Sequence, residues 1–270
     1  MQLFKTSFFF LLLLIISRCA PKPYAETNKA YKKQAKQLAA IIKKYPIKDS
    51  FATAPVWVGT TNFNLRKPNY VIIHHTAQKS CDQTLKTFTL TRTQVSSHYV
   101  ICKDGSVYHM LNDYLRAWHG GVSKWGNTTD INSSSIGIEI DNDGYESFSE
   151  EQLTSLITLL GHLKNAFGIP PANFIGHADI APTRKNDPNV NFPWQRLADS
   201  GFGIWWSDTT NMEVPAGFNS VQGLKIIGYD IRDSVAAIQA FKRKFLVQDK
   251  STTLSDADRK VLYSLYRKIE

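Results

Sequence analysis

The stretch Ser135-Ile136-Gly137-Ile138-Glu139-Ile140-Asp141 decides how this chain folds. Its side chains alternate. Ile136, Ile138 and Ile140 point to one side of an extended segment, and Gly137, Glu139 and Asp141 point to the other. A strand with an isoleucine face needs helices to cover that face. The opposite face carries Glu139 in mid-strand, where a carboxylate is costly unless it has a partner or a task.

Working outward, Asn69 to His74 reads as a second strand, within Val71-Ile72-Ile73-His74-His75-Thr76. His74 and His75 must face opposite sides of that strand, so both cannot easily serve one site. His98 to Ile101 and Ser106 to Met110 flank Lys103-Asp104-Gly105, a hairpin signal. Downstream, Ser149 with Gln152 resembles a capping box. Leu153, Leu156, Ile157, Leu160 and Leu163 form the stripe of the helix it opens, and Gly168 with Pro170-Pro171 ends that helix. The pattern predicts an α/β fold, a mixed central sheet flanked by helices with its chemistry at one edge.

That chemistry is signalled by Gly176-His177-Ala178-Asp179-Ile180-Ala181-Pro182-Thr183-Arg184-Lys185-Asn186-Asp187-Pro188. One short irregular segment places a histidine, a lysine and an aspartate together. With a histidine from the end of the Val71 strand, two imidazoles and one carboxylate make a ligand set that suits zinc and leaves a fourth position open. An open position marks a catalytic site. Glu139 is then expected to act as general base and later as acid, and Lys185 to stabilise a developing oxyanion. The alternative for Glu139 is a buried salt bridge, with Lys185 as partner.

The 270 residues suit one medium domain with a small one, and the formal charge of +9 favours anionic partners such as a membrane leaflet or a cell-wall polymer. No aromatic-basic or helix-turn-helix pattern points to nucleic acid. Lys5 precedes the apolar run Phe8 to Ile16, which has the length of an export signal rather than of a membrane span. Ile15-Ile16-Ser17-Arg18-Cys19 resembles a bacterial lipoprotein cleavage box with the lipidated residue at Cys19, although Arg18 stands where a small residue is usual. Cys81 and Cys102 remain, as a disulfide or as two free thiols.

Residues 19–55 read as a basic tether. Tyr31, Ala35, Leu38, Ile42 and Tyr45 recur at helical spacing among many lysines, which suits either an anionic leaflet or ordinary packing on a neighbouring domain. After Trp206 the composition shifts. Residues 208–218 read as a linker, followed by helical periodicity over Ser220 to Ile227, Asp233 to Phe245 and Ser255 to Ile269. Val235, Ile238, Phe241 and Phe245 are expected on one face, and Val261, Leu262, Leu265 and Ile269 on another. The expected organisation is a signal over 1–18, the tether over 19–55, a catalytic domain over 56–207, the linker, and a small three-helix domain over 219–270.

The pieces Ile73-His74-His75-Thr76-Ala77, Val95-Ser96-Ser97-His98-Tyr99, Ala117-Trp118-His119-Gly120-Gly121, Ser135 to Ile140 and Gly176 to Pro188 occur in the order found in the zinc-dependent N-acetylmuramoyl-L-alanine amidases of type 2, which this chain resembles over roughly residues 57–206. The resemblance implies zinc ligands at His74, His177 and Asp187, one ion per chain, and catalytic roles for Glu139 and Lys185. It selects His74 over His75. Ser97 stands where the phage and animal branch has a tyrosine, and Asp187 replaces a cysteine ligand; both fit the bacterial recycling branch, so Ser97 receives no catalytic role. Trp118 and His119 resemble substrate-groove residues. His98 and His109 read as structural histidines and His162 as exposed.

Leu224 to Asp230 and Ala237 to Lys242 resemble a peptidoglycan-binding domain, without its usual Asp-Gly turns. The implied whole is a monomeric amidase lipoprotein facing the periplasm from the outer membrane. It would cut the bond between N-acetylmuramic acid, intact or anhydro, and L-alanine in peptidoglycan or muropeptides. Two rivals stand beside it: a non-catalytic wall-binding module, and a glycan-cleaving enzyme using Glu139 and Asp141.

Overall fold

The computed structural model describes residues 23–43, 60–62, 64–247, 249 and 251–269. The expected signal run and Cys19 lie outside the described residues. The chain forms two compact units, Met1–Asn62 and Phe63–Glu270. In the first, helix α1 (Ala25–Lys43) bears out the helical periodicity of the tether, and none of its residues is buried.

The second unit is built on a five-stranded mixed sheet with the order β3-β2-β4-β1-β5. Its strands are β1 (Tyr70–His75), β2 (Tyr99–Ile101), β3 (Val107–His109), β4 (Ser135–Ile140) and β5 (Phe174–Gly176). Strand β1 runs parallel to β4 and to β5, β2 runs parallel to β4, and β3 pairs antiparallel with β2. The β2–β3 hairpin turns at Gly105, whose φ of +81° favours glycine. Cys81 and Cys102 are joined in a disulfide, which ties the start of α2 (Cys81–Thr89) to the end of β2.

The alternation read from β4 is the organising feature. Ile136, Ile138 and Ile140 are fully buried with Val71, Ile73 and Phe174 on one face of the sheet. That face is covered by α4 (Glu150–Phe167) through Leu153, Leu156, Leu160, Leu163 and Phe167. The Ser149–Gln152 capping box opens α4, and Gly168, at φ +62°, closes it. Each buried aliphatic side chain there contributes roughly 1.5–3 kcal/mol relative to exposure.

Helix α6 (Trp194–Asp199) joins α4 on the isoleucine face through Trp194 and Leu197. The other face of the sheet carries short helices α3 (Ile131–Ser134) and α5 (His177–Ile180), then α7 (Ser220–Ile227), α8 (Ser234–Phe245) and α9 (Asp256–Tyr266). The last three match the expected helices. Their core is not their own. Leu224, Phe241, Phe245, Leu262 and Leu265 share one buried cluster with Ile72, Ile175 and Ile180 of the sheet and α5. The expected apolar face of α8 needs one correction: Phe241 and Phe245 are buried and Ile238 packs against the same cluster as expected, but Val235 is exposed, and Ala237, Ala240 and Lys244 turn inward. The stripe lies about one residue round from the reading because two alanines, not β-branched residues, let the helix approach closely.

Candidate metal centre

Parallel strands deliver their ligands at their carboxyl ends. His74 stands near the end of β1, opposite Glu139 of β4 in register, and Ile73 is opposite Gly176, the last residue of β5. His177 follows immediately as the first residue of α5. Asp187 comes back to it through a loop pinned on both sides: the Ala178 N–H donates to the Asp187 carbonyl at 2.7 Å, and the Asn189 N–H donates to His75 Nδ1 at 3.1 Å. The Asp187–Pro188 peptide is cis.

His74, His177 and Asp187 are all buried and converge. His74 Nδ1 and His177 Nδ1 are 2.9 Å apart, and each lies 3.0 Å from Asp187 Oδ2. In a tetrahedral zinc site, ligand distances of about 2.0–2.2 Å put neighbouring ligand atoms about 3.3–3.5 Å apart. The observed triangle is slightly tighter than that and of the right form.

The protons around the triangle give the same answer. His177 Nε2 is 3.1 Å from the Gly120 carbonyl, which can only accept, so the proton sits on Nε2 and Nδ1 is bare. His74 is fixed by a longer chain. The Ser135 hydroxyl donates to the Ile131 carbonyl at 2.6 Å, so its oxygen accepts from His119 Nε2 at 3.2 Å. His119 Nδ1 then accepts from His74 Nε2 at 3.1 Å, which leaves His74 Nδ1 bare as well. Two bare nitrogens and a carboxylate oxygen facing one another at 3.0 Å or less need a cation between them. The donor set therefore fits zinc.

Electrostatics sets the protonation states a metal requires. Burial, aided by His177, lowers the His74 pKa to about 4 and keeps the ring neutral. Burial pushes the Asp187 carboxyl up, but the imidazoles beside it outweigh that and hold it below the usual range. Burial, with Asp187 nearby, raises Glu139 well above the ordinary carboxylate range, and the charge of Lys185 only partly opposes this. Glu139 Oε2 is buried with no hydrogen-bond partner, and no ion pair joins it to Lys185 within 4.0 Å among the described residues. The salt-bridge alternative for Glu139 is thus not what the geometry shows. Lys185 is half-buried on a turn closed by its own N–H to the Ala181 carbonyl at 2.9 Å.

The remaining expected residues separate. Trp118 lies about half exposed on the rim. His119, expected in the groove, is buried behind His74 with both ring nitrogens engaged. Gly137 makes room for it: a Cβ there would stand 2.4 Å from His119 Cγ. His98 is a satisfied structural histidine, accepting from the Gly137 N–H at 3.0 Å and donating to the Leu115 carbonyl at 3.0 Å. His109 is exposed, stacks on Tyr99 and pairs with Asp113, and His162 is exposed. Ser97 is buried and donates to the Tyr99 carbonyl. His75 is the supporting residue that its place on the strand suggests, whereas the supporting roles of Ser135 and Asn189 were not read from the sequence.

Comparison with known proteins agrees with this geometry. The family model for N-acetylmuramoyl-L-alanine amidase (Amidase_2) matches residues 64–190. The chain is 38% identical over 151 residues to the N-acetylmuramoyl-L-alanine amidase AmiD of Escherichia coli K12, covering 50% of this chain and 54% of that one. It is 34% identical over 108 residues to the 1,6-anhydro-N-acetylmuramyl-L-alanine amidase AmpD of the same strain, covering 40% of this chain and 59% of that one. The matches therefore span little more than half the length of these curated relatives.

Among solved structures, E. coli AmiD in complex with the substrate anhydro-N-acetylmuramic acid-L-Ala-D-γ-Glu-L-Lys superposes with a TM-score of 0.68 at 28% identity. That likeness covers 78% of this chain and 93% of AmiD. AmpDh3 of Pseudomonas aeruginosa, with a TM-score of 0.68 at 24% identity, covers 81% of this chain and 98% of its own and shows the same fold. The mixed sheet, the order of the motifs and the matched span together place the domain formed by residues 64–190 in the N-acetylmuramoyl-L-alanine amidase family.

Proposed function

We propose that this chain hydrolyses the amide between the lactyl group of N-acetylmuramic acid, or of its anhydro form, and L-alanine in peptidoglycan or muropeptides. His74, His177 and Asp187 would hold one zinc ion per chain. When bound, that ion supplies Lewis acidity toward the scissile carbonyl and acidifies water. The observation that carries the reading is the triangle of two bare imidazole nitrogens and one carboxylate oxygen beside Glu139, whose Oε2 is buried without a hydrogen-bond partner.

Glu139 takes the proton of the attacking water and returns it to the departing alanine nitrogen. Its raised pKa suits both halves of that task, since an ordinary carboxylate would be too weak a base. The charge of Lys185 is felt at both Glu139 and His74, and its ammonium stabilises the oxyanion as the carbonyl becomes tetrahedral. Trp118 offers an exposed indole for a sugar ring or stem peptide. We assign His119 to orienting His74 rather than to substrate.

The complete ligand set argues against a wall-binding module without activity. Asp141 is buried with an unpartnered oxygen of its own and directly follows the strand that carries Glu139, which does not place two carboxylates across a glycosidic bond. Lipid attachment at Cys19, a monomeric state and a periplasm-facing position on the outer membrane belong to the same proposal, supported by the apolar run and by the basic α1, none of whose residues is buried. The test is incubation of purified protein with defined muropeptides, with and without chelator, read by mass spectrometry. Release of free stem peptide that stops on chelation supports the reading. Shortened glycan, or no cleavage with zinc bound, contradicts it.

A further inference from the structure

We propose that the C-terminal helices complete the metal centre, with Lys244 and Tyr229 acting as positioning residues for His177 through Asp179. The proposal rests on the reading of His74, His177 and Asp187 as zinc ligands. It gives α7–α9 a task that does not depend on binding wall polymer.

Asp179 sits two residues after His177 in the one-turn helix α5. Such a helix has too few internal hydrogen bonds to hold its own orientation. Asp179 supplies the missing restraint. Its Oδ2 accepts from the Gly176 N–H at 2.8 Å and from Lys244 Nζ at 2.8 Å, and its Oδ1 accepts from the Tyr229 hydroxyl at 2.8 Å. One carboxylate therefore ties the residue before His177 to two side chains from the C-terminal region. Asp179, Lys244 and Tyr229 are all buried. Lys244 Nζ also lies 4.0 Å from the centre of the Trp194 ring, and a Cβ on Gly176 would meet both Trp194 and Pro188 at 3.0 Å. The carboxylate, the ammonium and the indole thus gather at Gly176, the residue before His177, where Pro188, the residue after Asp187, also closes in.

A buried ion pair is a poor choice for stability alone, because desolvation offsets the attraction and apolar residues of similar volume do as well. What such a pair provides is a fixed register, since neither charge can move without losing its partner. Helix α8 contains its own comparison. Lys242, two residues away and also buried, pairs with Asp249 and Asp258 inside the C-terminal region and makes no ion pair or hydrogen bond with α5 among the described residues. Lys244 alone of the two crosses to the segment that bears a ligand.

The experiment uses full-length protein and three variants, Lys244→Met, Tyr229→Phe and Lys242→Met. Zinc affinity is measured by competition with a chromophoric chelator, the Co(II)-substituted centre by its visible absorption, and stability by thermal unfolding. Lys244→Met is expected to weaken zinc binding about 10–100-fold, the usual effect of losing an outer support of a ligand, and to shift the Co(II) bands. Tyr229→Phe is expected to move both in the same direction by a smaller factor, and it keeps the test open if Lys244→Met fails to fold. Lys242→Met is expected to lower the melting temperature and leave both metal readouts unchanged. Wild-type affinity and spectrum in Lys244→Met and Tyr229→Phe would overturn the proposal while leaving the ligand set intact. Equal losses in Lys242→Met would overturn it too, by showing general loosening. A wild-type protein that binds no zinc would overturn the ligand reading itself, and this inference with it.

Discussion

Glu139 stands directly opposite His74 in the register of two adjacent parallel strands, so the backbone ladder itself fixes a carboxylate beside a ligand imidazole. No loop intervenes between them. Each strand reaches this point through fully buried isoleucines, Ile72 and Ile73 in β1 and Ile138 in β4, which leaves little freedom for either side chain to drift. The reacting pair is built on the stiffest part of the molecule.

This separation of ligand from base predicts a separation of phenotypes. Glu139→Gln should retain zinc and lose roughly 10²–10⁴-fold in kcat, since it removes only proton transfer. Lys185→Met should also retain zinc and lose roughly 10²–10³-fold. Single-turnover release of stem peptide, paired with metal analysis of the same samples, checks both. Loss of zinc in Glu139→Gln would show that the carboxylate is a ligand after all.

The hydrogen-bond chain from Ile131 through Ser135 and His119 to His74 predicts that residues remote from substrate tune the metal. Ser135→Ala and His119→Ala should each weaken zinc about 10–100-fold. Gly137→Ala should act like His119→Ala, because its new methyl would occupy the space of the imidazole. Chelator competition reads the effect. Wild-type affinity in Gly137→Ala would mean that His119 can move without consequence.

His75 points to the opposite face from His74 yet accepts the Asn189 N–H that anchors the loop after Asp187. His75→Ala strands that buried donor, at a cost of about 1–3 kcal/mol. Denaturant melts should show the loss. Hydrogen exchange should show faster opening of residues 186–190 than of β1.

His98 predicts a pH effect that does not involve the metal. Burial, partly opposed by its bond to the Leu115 carbonyl, lowers its pKa to about 4 from an ordinary 6.5. The unfolded chain therefore takes up a proton below pH 6.5 that the folded chain refuses until pH falls to about 4. Stability is unaffected by this group above pH 6.5 and falls as pH drops from 6.5 to about 4, by roughly 3 kcal/mol at most. His98→Asn keeps an acceptor for the Gly137 N–H and removes the titration. The difference in unfolding free energy between pH 7 and pH 4.5 should shrink in that variant, as measured by urea titration.

Much of this was legible in the sequence because local rules carried it. The Ser149–Gln152 box opens a helix where read, Gly168 ends it, and the isoleucine alternation of β4 gives the sheet its two faces. The ligand segment was legible because His177 and Asp187 are near in sequence and His74 ends an apolar run. What was not legible depends on contacts across long separations. Lys244 lies 65 residues from Asp179, and a lysine near the end of a helix reads as a solvated cation at the helix dipole. His119 was misplaced because a histidine beside an exposed tryptophan gives no sign that its own ring turns inward. The disulfide between Cys81 and Cys102 needed a distance, which only the fold supplies.

The most direct measurement is zinc content per chain in parallel preparations of wild type, His177→Ala, Asp187→Ala and Glu139→Gln, each assayed on an anhydro-muropeptide. The account predicts one zinc and full cleavage in wild type, no tightly held zinc in the two ligand variants, and one zinc with cleavage slowed at least about a hundredfold in Glu139→Gln. Stem-peptide release by a verified zinc-free ligand variant, or full activity in Glu139→Gln, would contradict it.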